Sequence, residues 1–350
     1  MATDTIAKVR SPYIVEIVGT LNDSTKVELF IWNNSGSIPA SPNYTLEKPI
    51  ISNTVGKAQY DVSPYIREFI SHDTYTETNI EATADSEEYC FCSVKAYKNG
   101  VLQTGGGTYT EELICFDGYG YHEEGQNPAT SQGVLLDEGT YLISDTGNPG
   151  GIYRTDVGTT GIWSVLYTGL NTGGTVTFNL STGVSYIPYT YAPLTQEPVR
   201  VEIKLGGFTQ FTYKFIPTCE DKYTTHNCDF VNKHGVWQRI VFFKASRKNY
   251  EMSNTSYNLM PADTNYDTTE ARKRVFNVNG VDKITVNTGW VEESYSDVIK
   301  QLMNSETIKL DNKPVNILTK SIELQEGINK NNINYTLDFE YAYNAINYNI

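Results

Sequence analysis

Apolar and polar positions alternate with period two in short runs along most of this chain, the pattern of strands with one buried face. Tyr13-Ile14-Val15-Glu16-Ile17-Val18 is followed by the turn Leu21-Asn22-Asp23-Ser24 and then by Val27-Glu28-Leu29-Phe30-Ile31-Trp32. This spacing predicts that the two runs pair antiparallel. A Gly/Ser/Pro-rich loop from Asn33 to Asn43 leads to an extended segment around Tyr44–Leu46. Gln59-Tyr60-Asp61-Val62 precedes Ser63-Pro64, read as an N-cap with proline at the first helical position. A helical turn or two is therefore expected from Tyr65 to Ile70, with Ile66, Phe69 and Ile70 inward. Tyr89–Tyr97 reads as a strand, and Lys98-Asn99-Gly100 as its hairpin turn, because Asn-Gly accepts the positive φ that such turns need.

From about Thr104 to Leu194 the pattern weakens into Gly, Thr and Tyr, with short extended pieces at Gly139–Ile143 and Thr175–Leu180. Such a stretch is either a small β-domain or a long decorated insertion. Strand patterning resumes at Val199–Leu205, Thr209–Ile216 and Val236–Lys244, with Gly206-Gly207 as a hairpin turn, while Asn249–Thr269 reads as a polar linker or long loop. Val275–Val278 and Lys283–Val286 flank Asn279-Gly280, a second hairpin reading. Val291–Asn304 is the one clear helix, with Tyr295, Val298, Ile299 and Leu302 on one stripe and Glu292 and Glu293 in the first turn. Strands are expected at Thr307–Leu310, Val315–Leu318, Lys320–Leu324 and Tyr335–Phe339.

The expected fold is mainly β: tandem β-sandwich-like domains with a small β-rich C-terminal module containing one helix. The segments are 1–118, an N-terminal β-sandwich; 119–195, a Gly/Thr/Tyr-rich β insertion or small domain; 196–270, a second β-sandwich segment and linker; and 271–350, the C-terminal module with helix 291–304. No solenoid or propeller period and no sustained heptad is present.

Composition narrows the functional classes. A hydrophobic fraction of 39% over 350 residues supports two or three cored domains. The net charge of −14 repels phosphate backbones, so specific nucleic-acid binding is not expected. Arg272-Lys273-Arg274 is a local basic run, read as a solvated turn rather than a nucleic-acid contact. Tyr is over-used at 26 residues, suiting half-buried strands and large packed interfaces. No run approaches the ~20 apolar residues of a membrane span, and the opening has no secretory pattern, so a cytoplasmic protein is expected. Cys90, Cys92, Cys115, Cys219 and Cys228 are odd in number and read as reduced thiols.

Candidate chemistry is sparse. Cys219, His226, Cys228 and His234 are residue types that zinc uses, within sixteen residues, but their spacing lacks a paired C-x2-C knuckle. The competing reading is that Cys228 is a small buried hydrophobe. Cys90 and Cys92 read as core thiols. No nucleophile elbow, metalloprotease helix or phosphate loop is present, and no EF-hand calcium loop. Glu87-Glu88, Glu111-Glu112, Glu123-Glu124 and Glu292-Glu293 read as solvated or helix-start charges, although a glycosidase needs only two carboxylates about 5 to 10 Å apart. Cys115-Phe116-Asp117-Gly118-Tyr119-Gly120-Tyr121 reads either as aromatics that stack on sugar or partner, or as a packed loop. No cofactor, catalytic residue or metal ligand is therefore assigned, and the chain is not expected to be an enzyme.

Several runs carry a resemblance. Ser11-Pro12-Tyr13, Leu29-Phe30-Ile31-Trp32 and Tyr60-Asp61-Val62-Ser63-Pro64-Tyr65-Ile66 with Phe69-Ile70 resemble the N-terminal β-sandwich of structural proteins from crAss-like and related Bacteroidetes bacteriophages. Cys228–Asn232 through Gly235–Gln238 to Phe242–Lys244, and Asn287–Trp290 through the helix and Ser305-Glu306 to Asn334–Ala342, are similar to their middle and end. Residues ~104–195 depart from the pattern. The resemblance implies a virion protein of the tail barrel, hub or tail-to-capsid connection, assembled in the host bacterial cytoplasm. Its implied partners are its own copies in a ring and neighbouring tail or portal proteins, with no membrane. The alternative is a receptor- or glycan-binding β-sandwich, such as a tail fibre or adhesin, using the aromatic Gly-rich loops between Phe116 and Tyr191, Tyr119 and Tyr121 among them. A glycan-degrading enzyme ranks behind both.

Overall fold

The computed structural model describes residues 5–33, 37–51, 55–73, 87–104, 110–130, 133–144, 152–155, 163–168, 176–179, 183–186, 199–205, 207–218, 222–260, 267–323 and 332–346. The described chain is mainly β, as the alternation predicts, with two short α-helices and one 3-10 turn. It divides into two units. The first takes Met1–Cys219, Asp229–Ile240 and Ser294–Thr307; the second takes Glu220–Cys228, Val241–Glu293 and Ile308–Ile350.

In the first unit, β1 (Thr5–Lys8), β2 (Ile14–Gly19), β3 (Ser24–Asn33), β4 (Tyr44–Pro49) and β5 (Gly56–Asp61) precede α1 (Ser63–Arg67). Strands β6 (Tyr89–Lys98), β7 (Val101–Leu102), β8 (Thr110–Phe116) and β9 (Ala129–Thr130) follow. One sheet has the order β4-β3-β6-β8-β1-β9, with β7 on β6, and β2 pairs with β5 separately. The expected β2–β3 hairpin is therefore incorrect. Both runs bury one face, but Val15 and Ile17 pack in the same core cluster as Val27, Leu29 and Ile31, as parts of two pairing systems. The turn at Leu21–Ser24 changes layer instead of closing a ladder, and a layer change has the same polar punctuation as a hairpin. The Asn99-Gly100 turn is as read: Lys98 pairs with Val101, and φ is +50° and +79° at the two turn residues.

Helix α1 differs at its cap. Val62 holds the cap position, and the Ser63 hydroxyl, inside the helix, accepts the Tyr13 N–H at 2.9 Å and donates to the Asp61 carboxylate. Asp61 also accepts the N–H groups of Tyr13 and Ser63, at 3.2 and 3.1 Å. The Asp61-Val62-Ser63 run thus ties the start of β2 to the end of β5. Ile66 is buried, and Phe69 and Ile70 pack partly buried against the same core, as expected.

Strands β1, β6 and β8 bury both faces. Ala7, Cys90, Cys92, Leu113 and Cys115 face the sandwich interior. Ile6, Tyr89, Ile114 and Phe116, one residue out of phase, enter a second cluster with Leu135, Val231, Val236 and Trp237. Hence Leu113-Ile114-Cys115-Phe116 reads as an unbroken apolar run. Cys90, Cys92 and Cys115 are buried free thiols, and burial pushes the Cys92 and Cys115 thiols well up.

Further along the first unit come β10 (Gly139–Ser144), β11 (Ile152–Thr155), β12 (Trp163–Thr168), β13 (Val176–Asn179), β14 (Gly183–Tyr186), β15 (Val199–Leu205) and β16 (Phe208–Thr218). One sheet runs β10-β16-β15-β12-β13, and β11 pairs with β14. The β15–β16 hairpin closes as read, with Leu205 opposite Phe208 and φ +87° at Gly207.

Strands β17 (His226–Val231) and β18 (Trp237–Phe242) each carry residues of both units. The second unit's sheet is built on β19 (Arg247–Asn258) and β20 (Lys273–Glu292), and the first unit's α2 (Tyr295–Met303) follows in sequence. After it come the second unit's β21 (Ile308–Leu310), β22 (Lys313–Ile317) and β23 (Asn332–Tyr341), in the order β21-β22-β23-β20-β19. Cross-strand pairs Ile284–Phe339 and Val286–Leu337 bury one face, while Thr285–Asp338 and Asn287–Thr336 put polar groups on the other.

Four readings are corrected in this part of the chain. Arg247–Asn258 is a strand and not a linker; all twelve residues are exposed, so no apolar alternation marks it. Asn279-Gly280 is not a hairpin turn but lies inside the twenty-residue β20. Lys320–Glu323 has no strand structure. The helix spans Tyr295–Met303 instead of 291–304, because Val291 and Glu292 still pair with Ile333 and Asn332 as the end of β20. Its first-turn acid is Asp297, not Glu292 or Glu293, and its buried stripe of Tyr295, Val298, Ile299 and Leu302 is as read.

Candidate functional site

Of the four zinc-type residues, the three that are described, His226, Cys228 and His234, form no metal-binding group. Cys219 lies outside the described residues. Cys228 is a fully buried cysteine in β17. His226 and His234 are committed to separate partners in different units. Among the described residues no group of three or more His, Cys, Asp or Glu is arranged to hold a metal ion.

His234 belongs to a polar centre of the first unit. Its Nε2 lies 3.1 Å from Asp137 Oδ1, while Lys233 Nζ and Gln301 Nε2 donate to Asp137 Oδ2 at 2.9 and 2.7 Å. Burial alone would raise the Asp137 carboxyl, but the bonds from His234 and Lys233 outweigh it and hold it well below the usual carboxylate range. Burial keeps His234 below the ordinary histidine value, with Asp137 opposing. The arrangement is an ionised carboxylate receiving a neutral imidazole N–H, which joins the Lys233-His234 turn and α2 to Asp137.

His226 in the second unit has a different setting. Its Nδ1 lies 2.6 Å from Asp311 Oδ2 and its Nε2 3.0 Å from Ser246 Oγ. That is the hydrogen-bond order of a Ser-His-Asp triad, not legible in the sequence because the three residues span 85 positions without a local motif. Two features differ from a working triad. The imidazole is 5% exposed while the carboxylate is 40% exposed, the reverse of a buried aspartate behind an accessible base. Asp311 also receives the Asn227 N–H at 2.9 Å and has φ +49°, so it anchors the β21–β22 turn against the start of β17.

The glycine-rich aromatic run is a packed loop. Gly118 and Gly235 meet backbone to backbone: a Cβ on Gly235 would lie 2.4 Å from Gly118 N, and Gly235 has φ +85°. Tyr119 and Tyr121 are half-buried, edge to face at 5.7 Å, and Arg10 lies 5.0 Å over the Tyr119 ring. Beside them Arg67 donates to Asp117 at 2.7 Å and also bonds Glu306, which accepts from Arg10 at 3.0 Å. Burial raises the Asp117 carboxyl above its ordinary value, with Arg67 opposing. Of the acidic pairs, Glu112, Glu123, Glu124, Glu292 and Glu293 are exposed as read, whereas Glu88 is buried.

The surface feature that the sequence reading missed is the β19–β20 ribbon. Arg247–Asn258 pairs with Lys273–Thr285, and β19 is the last strand of its sheet. Residues of both parities are exposed along β19 and from Lys273 to Asn277, so neither face of this two-stranded stretch is covered by described residues. Tyr250, Met252 and Val275 are more than half exposed, and Tyr257 and Phe276 stand 5.6 Å apart on the ribbon. Asn277, at φ +50°, supplies the extra residue where the register shifts. Arg247, Lys248, Lys273 and Arg274 lie in the same ribbon, so of the basic run Lys273 and Arg274 are strand, while Arg272 is in a bend before it.

These features define a β-rich protein with an apolar, basic ribbon that no described residue covers. No helix among the described residues is long and apolar enough to cross a membrane. No protein-family model and no curated protein matches this chain.

Proposed function

We propose that this chain is a non-enzymatic structural component of a bacteriophage virion, a ring-forming protein of the tail barrel, hub or tail-to-capsid connection. The observation that carries the reading is the β19–β20 ribbon, exposed on both faces yet bearing Tyr250, Met252, Tyr257, Val275 and Phe276. An isolated two-stranded ribbon is marginally stable in water, and a large exposed apolar patch marks an interaction site. Polar side chains elsewhere support it: Asp137, Asp117, Asp229 and Arg239 are engaged in tying elements together. The residue patterns that resemble tail structural proteins give the assembly its setting. The test is the particle itself. Mass spectrometry of purified virions of the phage that encodes this chain is expected to find it in multiples fitting a ring, visible by electron microscopy at the tail or its connection. Its absence from virions would overturn the reading.

One other reading has an observation behind it. Ser246, His226 and Asp311 have the hydrogen bonds of a serine hydrolase site. A fluorophosphonate probe that labels Ser246 in the folded protein, and fails on Ser246→Ala or His226→Gln, would favour it. The exposed carboxylate and buried imidazole predict no labelling. The glycan-binding alternative gains nothing from Tyr119 and Tyr121, whose rings pack on each other and under Arg10.

A further inference from the structure

We infer that the occupant of the β19–β20 ribbon is a second copy of this chain, held by apolar contacts and by attraction to exposed carboxylates of that copy's first unit. The inference rests on the assembly reading and adds to it a surface, a partner and a polarity.

Three observations lead there. The first is the edge. Strand β19 ends its sheet, and from Ser253 to Asn258 it offers Ser, Asn, Thr, Ser, Tyr and Asn, with no charge and no proline. Proteins that must keep an edge free usually blunt it with lysine, proline or a bulge. Here the register shift falls in β20, at Asn277, and leaves the β19 edge regular. The second is the apolar load. Partners across the ribbon share a face, so Val275, opposite Ser256, lies on the face of Tyr250 and Met252, and Phe276, opposite Thr255, lies on the face of Tyr257. Both faces are thereby prepared for burial, as in an arm clasped by a neighbour rather than one laid flat on its own body.

The third is charge. Arg247, Lys248, Lys273, Arg274 and Lys283 share the ribbon with two acids, Glu251 and Asp282, in a chain of net charge −14. The acid excess is concentrated in the first unit: between Lys98 and Arg154 there is no lysine or arginine, while Glu111, Glu112, Glu123, Glu124 and Glu138 fall there. Glu112, Glu123, Glu124 and Glu138 are exposed. A basic arm and these exposed carboxylates, both present on every copy, suit a heterologous contact, arm of one on first unit of the next. Such contacts close into rings when the rotation allows. Opposed charge also steers encounter and disfavours arm-to-arm contact.

The experiment uses the full-length protein. Equal amounts of isotopically light and heavy chain are mixed, joined by a zero-length carbodiimide and digested. Mixed light–heavy peptides are expected to join Lys248 or Lys273 to the carboxylates of residues 111–138. Mass photometry is expected to show oligomers that weaken at about 1 M salt, where the screening length falls to ~3 Å. Met252→Lys with Val275→Lys is expected to weaken self-association about tenfold or more. Lys273→Glu with Arg274→Glu is expected to do the same. In both variants the circular dichroism and the melt stay those of the parent, since the ribbon lies outside the core.

Oligomers unchanged in both variants, or ribbon lysines cross-linked only within their own copy, would overturn the inference. So would a strictly monomeric chain, or a ribbon whose substitution removes binding to DNA and not to itself. In each case a chain found in virions keeps the assembly reading intact, with the arm then holding a different partner.

Discussion

At the residue scale, the buried charges of the first unit define what the interior tolerates. Asp229 and Arg239 form a two-bonded pair, Nε to Oδ1 at 2.6 Å and the second nitrogen to Oδ2 at 2.8 Å, with both side chains almost wholly buried. Removing one partner leaves the other charge in the interior, so Asp229→Asn is expected to cost about 3–5 kcal/mol, read by urea unfolding. A loss below about 1 kcal/mol would mean that water reaches Arg239. His234 gives a pH dependence. Its folded value is depressed by burial, so the folded state stays neutral while the unfolded chain takes up a proton below pH ~6.5. Stability is thus full above that pH and falls as pH drops from it towards the lowered value, by up to about 1.4 kcal/mol per pH unit. His234→Gln is expected to be less stable at pH 7 but to show a flatter decline between pH 6.5 and 5; parallel curves would show that His234 is charged in the fold.

At the scale of elements, what was legible is what buries one face. The stripe of α2, the Asn99-Gly100 turn and the alternation of β2 and β23 were readable because core packing writes its period into the sequence. The ribbon was not, because a strand exposed on both faces has no hydrophobic phase, and Arg247–Asn258 looks like loop. Asn279-Gly280 misled for a related reason. Its glycine is demanded not by a turn but by Tyr250, whose ring lies across it so that a Cβ would meet the hydroxyl oxygen at 2.2 Å. An aromatic laid over a strand glycine protects that strand's hydrogen bonds. Gly280→Ala is expected to lift the ring, at a local cost of about 1–3 kcal/mol, and to speed amide exchange in β19 while leaving β22 and β23 unchanged. Equal exchange in β19 would show that the ring does not hold the ribbon. The Ser246–His226–Asp311 cluster escaped for another reason: its members sit in the irregular backbone before β19, at the start of β17 and in the β21–β22 turn, which only the tertiary fold gathers.

At the scale of the molecule, the first unit cannot be completed by its first 219 residues. Strands β1, β6 and β8 present Ile6, Tyr89, Ile114 and Phe116 on the face away from the sandwich core. What covers that face includes Val231, Val236 and Trp237, from the later segment of the same unit. Burying a tryptophan-sized side chain is worth several kcal/mol, since truncations of Phe or Trp in a core cost about 3–5 kcal/mol. The sandwich interior, by contrast, draws its described buried residues from between Ala7 and Cys115. A fragment of residues 1–219 therefore keeps one core and uncovers the other. It is expected to retain β-type far-ultraviolet circular dichroism, bind an apolar dye that the whole chain does not, and aggregate on heating at a lower temperature. Trp237→Ala in the whole chain is expected to shift in the same direction, with faster amide exchange in β8 although 121 positions separate Trp237 from Phe116. A 1–219 fragment that stays dispersed, excludes the dye and melts as sharply as the parent would show that the second face of the sheet needs no cover. The late segment would then serve the fold only as a connection to the second unit.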